Sequence, residues 1–322
     1  MALTPVPAAA DTAARGGLVT VTPVHDPAEL AAAYALRRTV FVGEQGVAPE
    51  IERDDLDDSA DHVIAYGGAR VVGTGRLVVR ADGTGVIGRM AVLAEARRGR
   101  VGRAVLTALE RRARQRGLRA VELHAQTHAR GFYARAGYSA YGEEYLEAGI
   151  PHVTMRKPLP VVRPATDADS AALVDLIAGC WREYPGCVMD VDGEEPWLRA
   201  PATAYAERDG VFEVVELDGE FVGCVGWQPE GDGVVSLHSL YVAAPARRRG
   251  LGAQLVARVE AAAGQRGAVR VELWSDSRFA DAHRLYERLG YTRLAATREL
   301  HDRSATVEYA YAKPLAGGGS GS

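Results

Sequence analysis

Residues 247–252 read Arg247-Arg248-Arg249-Gly250-Leu251-Gly252. An apolar run, residues 237–242, precedes them, and an Ala-, Val- and Leu-rich stretch over 250–264 follows. That order predicts a strand, a tight turn and a helix. A helix that starts this abruptly presents backbone N–H groups with no carbonyl partner, and its dipole adds partial positive charge there. Gly250 and Gly252 carry no Cβ to hold an anion away, Ala253 continues the turn with a small side chain, and the three arginines add charge at the rim. The segment is predicted to cradle phosphate. It lacks the third glycine of a dinucleotide fingerprint and the Gly-Lys-Ser/Thr ending of a Walker loop.

The same signal occurs earlier as Arg97-Arg98-Gly99-Arg100-Val101-Gly102, followed by Arg103. Two further motifs recur in the same order. Phe132-Tyr133-Ala-Arg-Ala-Gly-Tyr138 matches Leu285-Tyr286-Glu-Arg-Leu-Gly-Tyr291, and Lys157-Pro-Leu159 matches Lys313-Pro-Leu315. Three unlike motifs at nearly constant spacing predict two copies of one fold. Pro158, Pro160 and Pro164 punctuate the junction. The expected organisation is a disordered segment 1–17, a first domain 18–159, a second domain 160–315, and a linker or tag remnant 316–322.

Each copy reads as alternating strand and helix, an α/β class with a mixed central sheet and helices on both sides. In the second copy, strands at Val211–Leu217 and 221–228 flank Asp218-Gly219, a hairpin signal. Further strands are expected at Val234–Val242 and 269–275, with helices at 250–264 and 279–289. The first copy repeats this with strands near 62–66, Arg70–Val79, 85–92 and 120–125, and helices from Val101 and over 129–136.

The 322 residues suit two domains, and 47% apolar with 25% charged residues is ordinary for a globular chain. A net charge of -4 gives no basic surplus for nucleic acid. The three cysteines all lie in the second half and form no disulfide framework, so a reducing, cytoplasmic compartment is expected. No apolar stretch is long enough to span a membrane, and residues 1–16 do not read as a signal peptide. No metal is expected.

Arg-x-x-Gly-x-Gly after an apolar strand, with Tyr-x-x-x-Gly-Tyr downstream, resembles the acetyl-CoA pyrophosphate loop of the GNAT superfamily of N-acetyltransferases. The resemblance covers nearly all of residues 20–315. It implies two GNAT folds and acetyl-CoA as cosubstrate. It also implies a strand that splays from its neighbour and pairs with pantetheine through Leu240 and Val242, or through Met90 and Val92 in the first copy. The first copy resembles the ElaA-type acetyltransferases in Phe41-Val-Gly-Glu-Gln45, an acidic run ending at His62, Ile87-Gly-Arg89, Ala125-Gln-Thr-His128 and Gly149-Ile-Pro-His152. Arg100 departs from the general loop, standing where its first glycine is expected. ElaA-type proteins are similar in carrying a basic residue there.

Acetyl transfer to an amine needs a base, because an aliphatic ammonium has a pKa of about 10.4. The leaving thiolate needs a proton donor. By resemblance, Tyr286 and Tyr133 lie near the thioester sulfur, where a phenol can donate. Strand alternation places Ser236, His238 and Leu240 on one face, which makes His238 the candidate base. The first copy offers Val86, Gly88 and Met90 there, none of them a base, so proton removal would fall to Glu44, His62, His128 or ordered water. Carboxylates after the first helix of each copy, Glu44 and Glu183 among them, would attract a cationic acceptor. For most of them a solvated loop is the competing reading. The acceptor stays open between a small-molecule amine and a peptide N-terminus. A homodimer is compatible with the sequence. The main alternative is a non-catalytic acyl-CoA-binding or regulatory role, at least for the first copy.

Overall fold

The computed structural model describes residues 19–315. The expected N-terminal disorder and C-terminal remnant lie outside them. The chain divides into two compact units, Met1–Leu159 and Pro160–Ser322.

Unit 1 runs β1 (Val19–Pro23), α1 (Pro27–Arg37), α2 (Pro49–Glu52), β2 (Asp61–Gly67), β3 (Arg70–Val79), β4 (Thr84–Val92), α3 (Val101–Gln115), β5 (Ala120–Gln126), α4 (Arg130–Ala134), β6 (Ser139–Glu147) and β7 (Ile150–Pro158). Unit 2 runs β8 (Val161–Pro164), α5 (Ser170–Trp181), α6 (Pro201–Ala206), β9 (Val211–Leu217), β10 (Glu220–Gly231), β11 (Val234–Val242), α7 (Leu251–Gln265), β12 (Arg270–Asp276), α8 (Ala280–Arg288), β13 (Thr292–Glu299) and β14 (Val307–Pro314).

The sheets are ordered β1-β2-β3-β4-β5-β7-β6 and β8-β9-β10-β11-β12-β14-β13, the same path twice. All neighbours pair antiparallel except β4–β5 and β11–β12. These are α/β mixed folds with helices on both faces.

Periodicity explains the helices. α3 buries Val101, Val105, Leu106, Leu109 and Ala113, and α7 buries Leu251, Leu255, Val256, Val259 and Ala263 at the matching positions. Both sets form a stripe against the sheet. α1 starts where the Asp26 side chain accepts from Glu29 N at 2.8 Å, with Pro27 in the first turn. The Lys-Pro-Leu and Gly-Tyr motifs turn out to be one clamp. Lys157 donates to Glu110 at 2.8 Å and its ammonium lies 5.6 Å from the Tyr138 ring. Lys313, Glu260 and Tyr291 repeat it at 2.8 and 5.6 Å.

Two features of the central strands position the site. Parallel pairing ends at Ile87/Leu123 and at Leu237/Leu273, although β4 continues to Val92 and β11 to Val242. Beyond those pairs each strand leaves its parallel neighbour and a wedge opens.

The second feature is a β-bulge. Gly226 pairs with His238 but Cys224 with Tyr241, so β11 holds one extra residue, with Ser239 at φ +49°. In unit 1, Arg76 pairs with Gly88 and Thr74 with Ala91, with Arg89 at φ +51°. An extra residue reverses the alternation. Leu237, Leu240 and Val242 all pack in the core that contains α7, whereas Tyr241 packs on the α5 side. His238 meets Tyr205 of α6 on that α5 side. The expectation that His238 and Leu240 share a face is corrected: they stand on opposite faces. Gly88 and Met90 are separated the same way, because Ile87, Met90 and Val92 pack in one core and Ala91 in another.

Candidate active site

The loop before α7 turns through two left-handed residues, Arg248 at φ +60° and Gly250 at φ +82°. The loop before α3 uses Arg98 at +72° and Arg100 at +62°. Arg100 therefore reproduces the backbone of Gly250, although a side chain in this region costs about 1–2 kcal/mol. In both units the helical ladder opens late, with Gln254 N donating to Gly250 O and Ala104 N to Arg100 O, each at 3.0 Å. The amides of Leu251, Gly252 and Ala253, and of Val101, Gly102 and Arg103, precede those bonds and are left for an anion.

In unit 2 these amides border a cavity of about 570 Å³ at the end of β11, beyond its last pair with β12. Of the expected residues, Leu240, Val242, Arg247, Arg248, Gly250, Leu251, Gly252 and Ala253 line it, and Arg249 does not. Cys180, Trp181 and Tyr184 close one side, and Phe279, Ala282 and Leu285 the other. Both faces of the sheet thus contribute walls. Among the described residues, Arg248 and Arg249 have no acidic partner and stay available to phosphate. The donor set fits the pyrophosphate of an acyl-CoA cosubstrate.

Arg247 is held differently. Its Nε donates to Val242 O at 2.7 Å, and its terminal nitrogens donate to Glu183 at 2.6 and 2.7 Å. Arg97 donates to Val92 O at 3.1 Å and pairs with Glu44. Glu44 and Glu183 were expected at the acceptor. Both carboxylates bind the first arginine of each loop, which is also bonded to the end of its strand. His62, also expected there, is buried, with Nε2 2.9 Å from Asp57 O and its ring edge-on to Tyr34.

Tyr286 is buried, with its ring 5.9 Å from Tyr291 and 5.8 Å from Tyr311. It does not line the cavity, although Ala282 and Leu285 of the same helix do. Burial pushes its phenol well above the ordinary 10, so it stays protonated and can donate. Tyr133 is pushed up to about 12 by burial, and its hydroxyl donates to the Met90 sulfur at 3.8 Å. His238 keeps a side-chain exposure of 36%, with Nε2 3.8 Å from Glu230. Burial draws its pKa below 6.5, and Glu230 opposes that only in part.

The α5-side face of the sheet differs between the units. In unit 2 it is aromatic: Trp197 lies 5.6 Å from Tyr205 and 5.2 Å from Phe212, and Trp181 Nε1 donates to the Tyr241 hydroxyl at 2.9 Å. Glu195 accepts from Trp197 Nε1 at 2.5 Å, and burial raises its pKa. In unit 1 the corresponding face, under α1 and α2, is ionic. Buried Arg37 donates to Glu52 at 2.5 Å and Asp57 at 2.6 Å, and Arg76 binds Asp57 at 2.6 Å and Asp54 at 2.6 and 2.7 Å. Burial works against ionised Asp57, but the Arg37 and Arg76 hydrogen bonds hold it well below the carboxylate range. These carboxylates belong to the acidic run after the first helix, and arginines hold them where the sequence left acceptor lining and solvated loop open. Tyr205 and Tyr241 carry no local motif that would single them out, whereas Glu195 belongs to the acidic stretch after the first helix of the second copy.

Residues 28–159 match the model of the acetyltransferase (GNAT) domain, and residues 171–291 that of the acetyltransferase (GNAT) family. The chain belongs to the GNAT family of acetyltransferases, with two such domains in tandem. It is 41% identical over 130 residues to the uncharacterized N-acetyltransferase YjcF of Bacillus subtilis, covering 40% of this chain and 92% of that protein. Its N-terminal region is 34% identical over 134 residues to protein ElaA of Escherichia coli, covering 40% of this chain and 87% of that protein. A crystal structure of an acyl-CoA N-acyltransferase from Pseudomonas aeruginosa is similar at 34% identity and a TM-score of 0.40, covering 44% of this chain and 99% of that one. Among the described residues no cluster of three metal ligands occurs, and no helix is long and apolar enough to cross a membrane.

Proposed function

We propose that the chain transfers an acetyl group from acetyl-CoA to a primary amine, on a small molecule or a peptide N-terminus, and that unit 2 is the better equipped catalyst. The cavity of about 570 Å³, which runs through the wedge onto the free amides of α7, carries this reading. The pyrophosphate would sit on the amides of Leu251–Gly252–Ala253 beside Arg248, and pantetheine would follow the backbone of Leu240 and Val242. The thioester would then reach the bulge at Ser239. His238 stands across that bulge, beside Glu230 and the aromatic wall. An acceptor ammonium arriving on that side would give its proton to His238. Its nitrogen would attack the thioester carbon through the wedge, and its second proton would reach the departing thiolate by way of the Tyr286 hydroxyl, which ends neutral. The three free thiols are compatible with a reducing compartment.

Calorimetric titration with acetyl-CoA reads the stoichiometry directly. Two sites per chain are expected, falling to one in Gly252→Glu, where a Cβ already meets Leu285 at 3.1 Å. Tyr286→Phe is expected to bind acetyl-CoA normally and to lose about a hundredfold in kcat. Unchanged turnover would remove Tyr286 from the mechanism.

A further inference from the structure

The duplicated sheet permits a position-by-position reading of the two units across their three central strands. In unit 2 the row is Gly226 on β10, His238 on β11 and Trp274 on β12. Gly226 pairs with His238, and Trp274 follows Leu273, the last residue paired with β11. The same row in unit 1 is Arg76, Gly88 and His124, since Arg76 pairs with Gly88 and His124 follows Leu123. The side chains before these positions, Ile87 and Leu123, pack in the α3 core, so Gly88 and His124 belong to the opposite face. Each unit has one histidine in the row, displaced by one strand, and where unit 2 has an imidazole unit 1 has none. A Cβ placed on Gly88 would meet nothing within 4 Å. The imidazole in unit 1 therefore lies beside open space rather than filling it.

His124 is also furnished as a proton acceptor. Its Nδ1 is hydrogen-bonded to the Tyr145 hydroxyl and lies 4.0 Å from a Glu147 carboxylate oxygen. That carboxylate favours hydrogen on Nδ1, donated to the Tyr145 oxygen, which leaves the lone pair on Nε2. Among the described residues Nε2 has no partner, and the side chain is 40% exposed. Tyr145 is held in turn by stacking on His152 at 6.1 Å, and His152 Nδ1 donates to Ile150 O at 2.8 Å. The groups facing His124 are therefore Tyr145 and Glu147 from β6, His152 from β7 and, across Gly88, Arg76 from β3 with its Asp54 partner. Glu147 is the one carboxylate among them not engaged by an arginine.

We propose that unit 1 is a second acetyl-transfer centre, in which an ammonium acceptor sits over Gly88 and gives its proton to Nε2 of His124. This rests on the acetyl-CoA reading above and extends it to a residue and a subsite. The first ammonium proton passes to Nε2 and on to solvent. The freed nitrogen lone pair forms the C–N bond with the thioester carbon, and the C–S bond breaks with its electron pair left on sulfur. The second nitrogen proton reaches that sulfur by way of the Tyr133 hydroxyl, so one proton is released for each amide formed.

The test uses the full chain carrying Gly252→Glu, so that only unit 1 binds acetyl-CoA. CoA release is followed against pH with 1,4-diaminobutane, lysine, glucosamine and a peptide with a free α-amine. Release from at least one amine is expected. His124→Asn, which keeps a donor for Tyr145, should lower kcat about a hundredfold or more with acetyl-CoA affinity unchanged. Gly88→Val should fold normally and raise the amine KM at least tenfold, since it fills the subsite alone. Release that ignores both substitutions overturns the proposal, as does a Gly252→Glu chain inert towards amines that the unsubstituted chain acetylates. An unsubstituted chain inert towards every amine would instead remove the acetyl-transfer reading, and this proposal with it.

Discussion

Units 1 and 2 repeat their strand order, their left-handed loop residues, their Lys–Glu–Tyr clamp and their central bulge. They part on one face of the sheet. There unit 1 buries Arg37, Glu52, Asp57 and Arg76 as hydrogen-bonded ions, while unit 2 packs Trp197, Tyr205 and Phe212. Arg76 and Gly226 occupy the same register position, and the Tyr205 ring lies over Gly226 so closely that a Cβ there would stand 2.5 Å from it. The lack of a side chain at Gly226 leaves the room that the Tyr205 ring fills. The loop and wedge are common to both units and the opposite face of the sheet differs, which on the proposed reading is the pattern expected of two enzymes with one cosubstrate and different acceptors.

The comparison breaks most visibly at Arg76. Arg76→Met leaves Asp54 and Asp57 short of a buried partner and should cost about 3–5 kcal/mol in urea unfolding of unit 1. A loss under about 1 kcal/mol would mean that the cluster is solvated and that the ionic description of unit 1 is wrong. A smaller effect is expected at His238, the proposed base of unit 2. His238 is held below 6.5, so it is neutral above its folded pKa and becomes charged as pH falls through it. The kcat/KM of unit 2 should therefore drop on an acid limb centred below 6.5, and His238→Asn should lower it about a hundredfold and abolish that limb. An unaltered limb would assign it to another group. The smallest effect concerns the loops. Arg100→Gly relieves a left-handed side chain but adds unfolded-state freedom, so stability should rise by less than about 1 kcal/mol. Acetyl-CoA binding to unit 1 should persist, and its loss would show that the Arg100 side chain itself holds the cosubstrate.

The duplication, the turns into α3 and α7 and most strands were legible because they are local or periodic. Asp218-Gly219 predicted a hairpin, and both residues take positive φ, at 55° and 89°. Helices α3 and α7 declared themselves by one apolar stripe each. The bulge was not legible, since a single positive φ at Ser239 or Arg89 leaves no trace in an alternating pattern. The arginine partners of Glu44 and Glu183 were hidden for another reason: the residues lie far apart in the chain, and an acidic loop reads the same whether its carboxylates face water or guanidinium. His124 was overlooked because alternation was followed along one strand, whereas its meaning comes from its place in a row across three.

The bulge acts on its strand much as a frameshift acts on a message. Every side chain before it keeps its face, and every one after it is read on the other. Drawing Ser239 into regular extended pairing would turn Leu240 and Val242 towards the aromatic wall and Tyr241 into the core beneath α7. Divergence of the acceptor face could proceed residue by residue while both copies kept that one punctuation mark, because losing it would exchange the two halves of the site at a stroke.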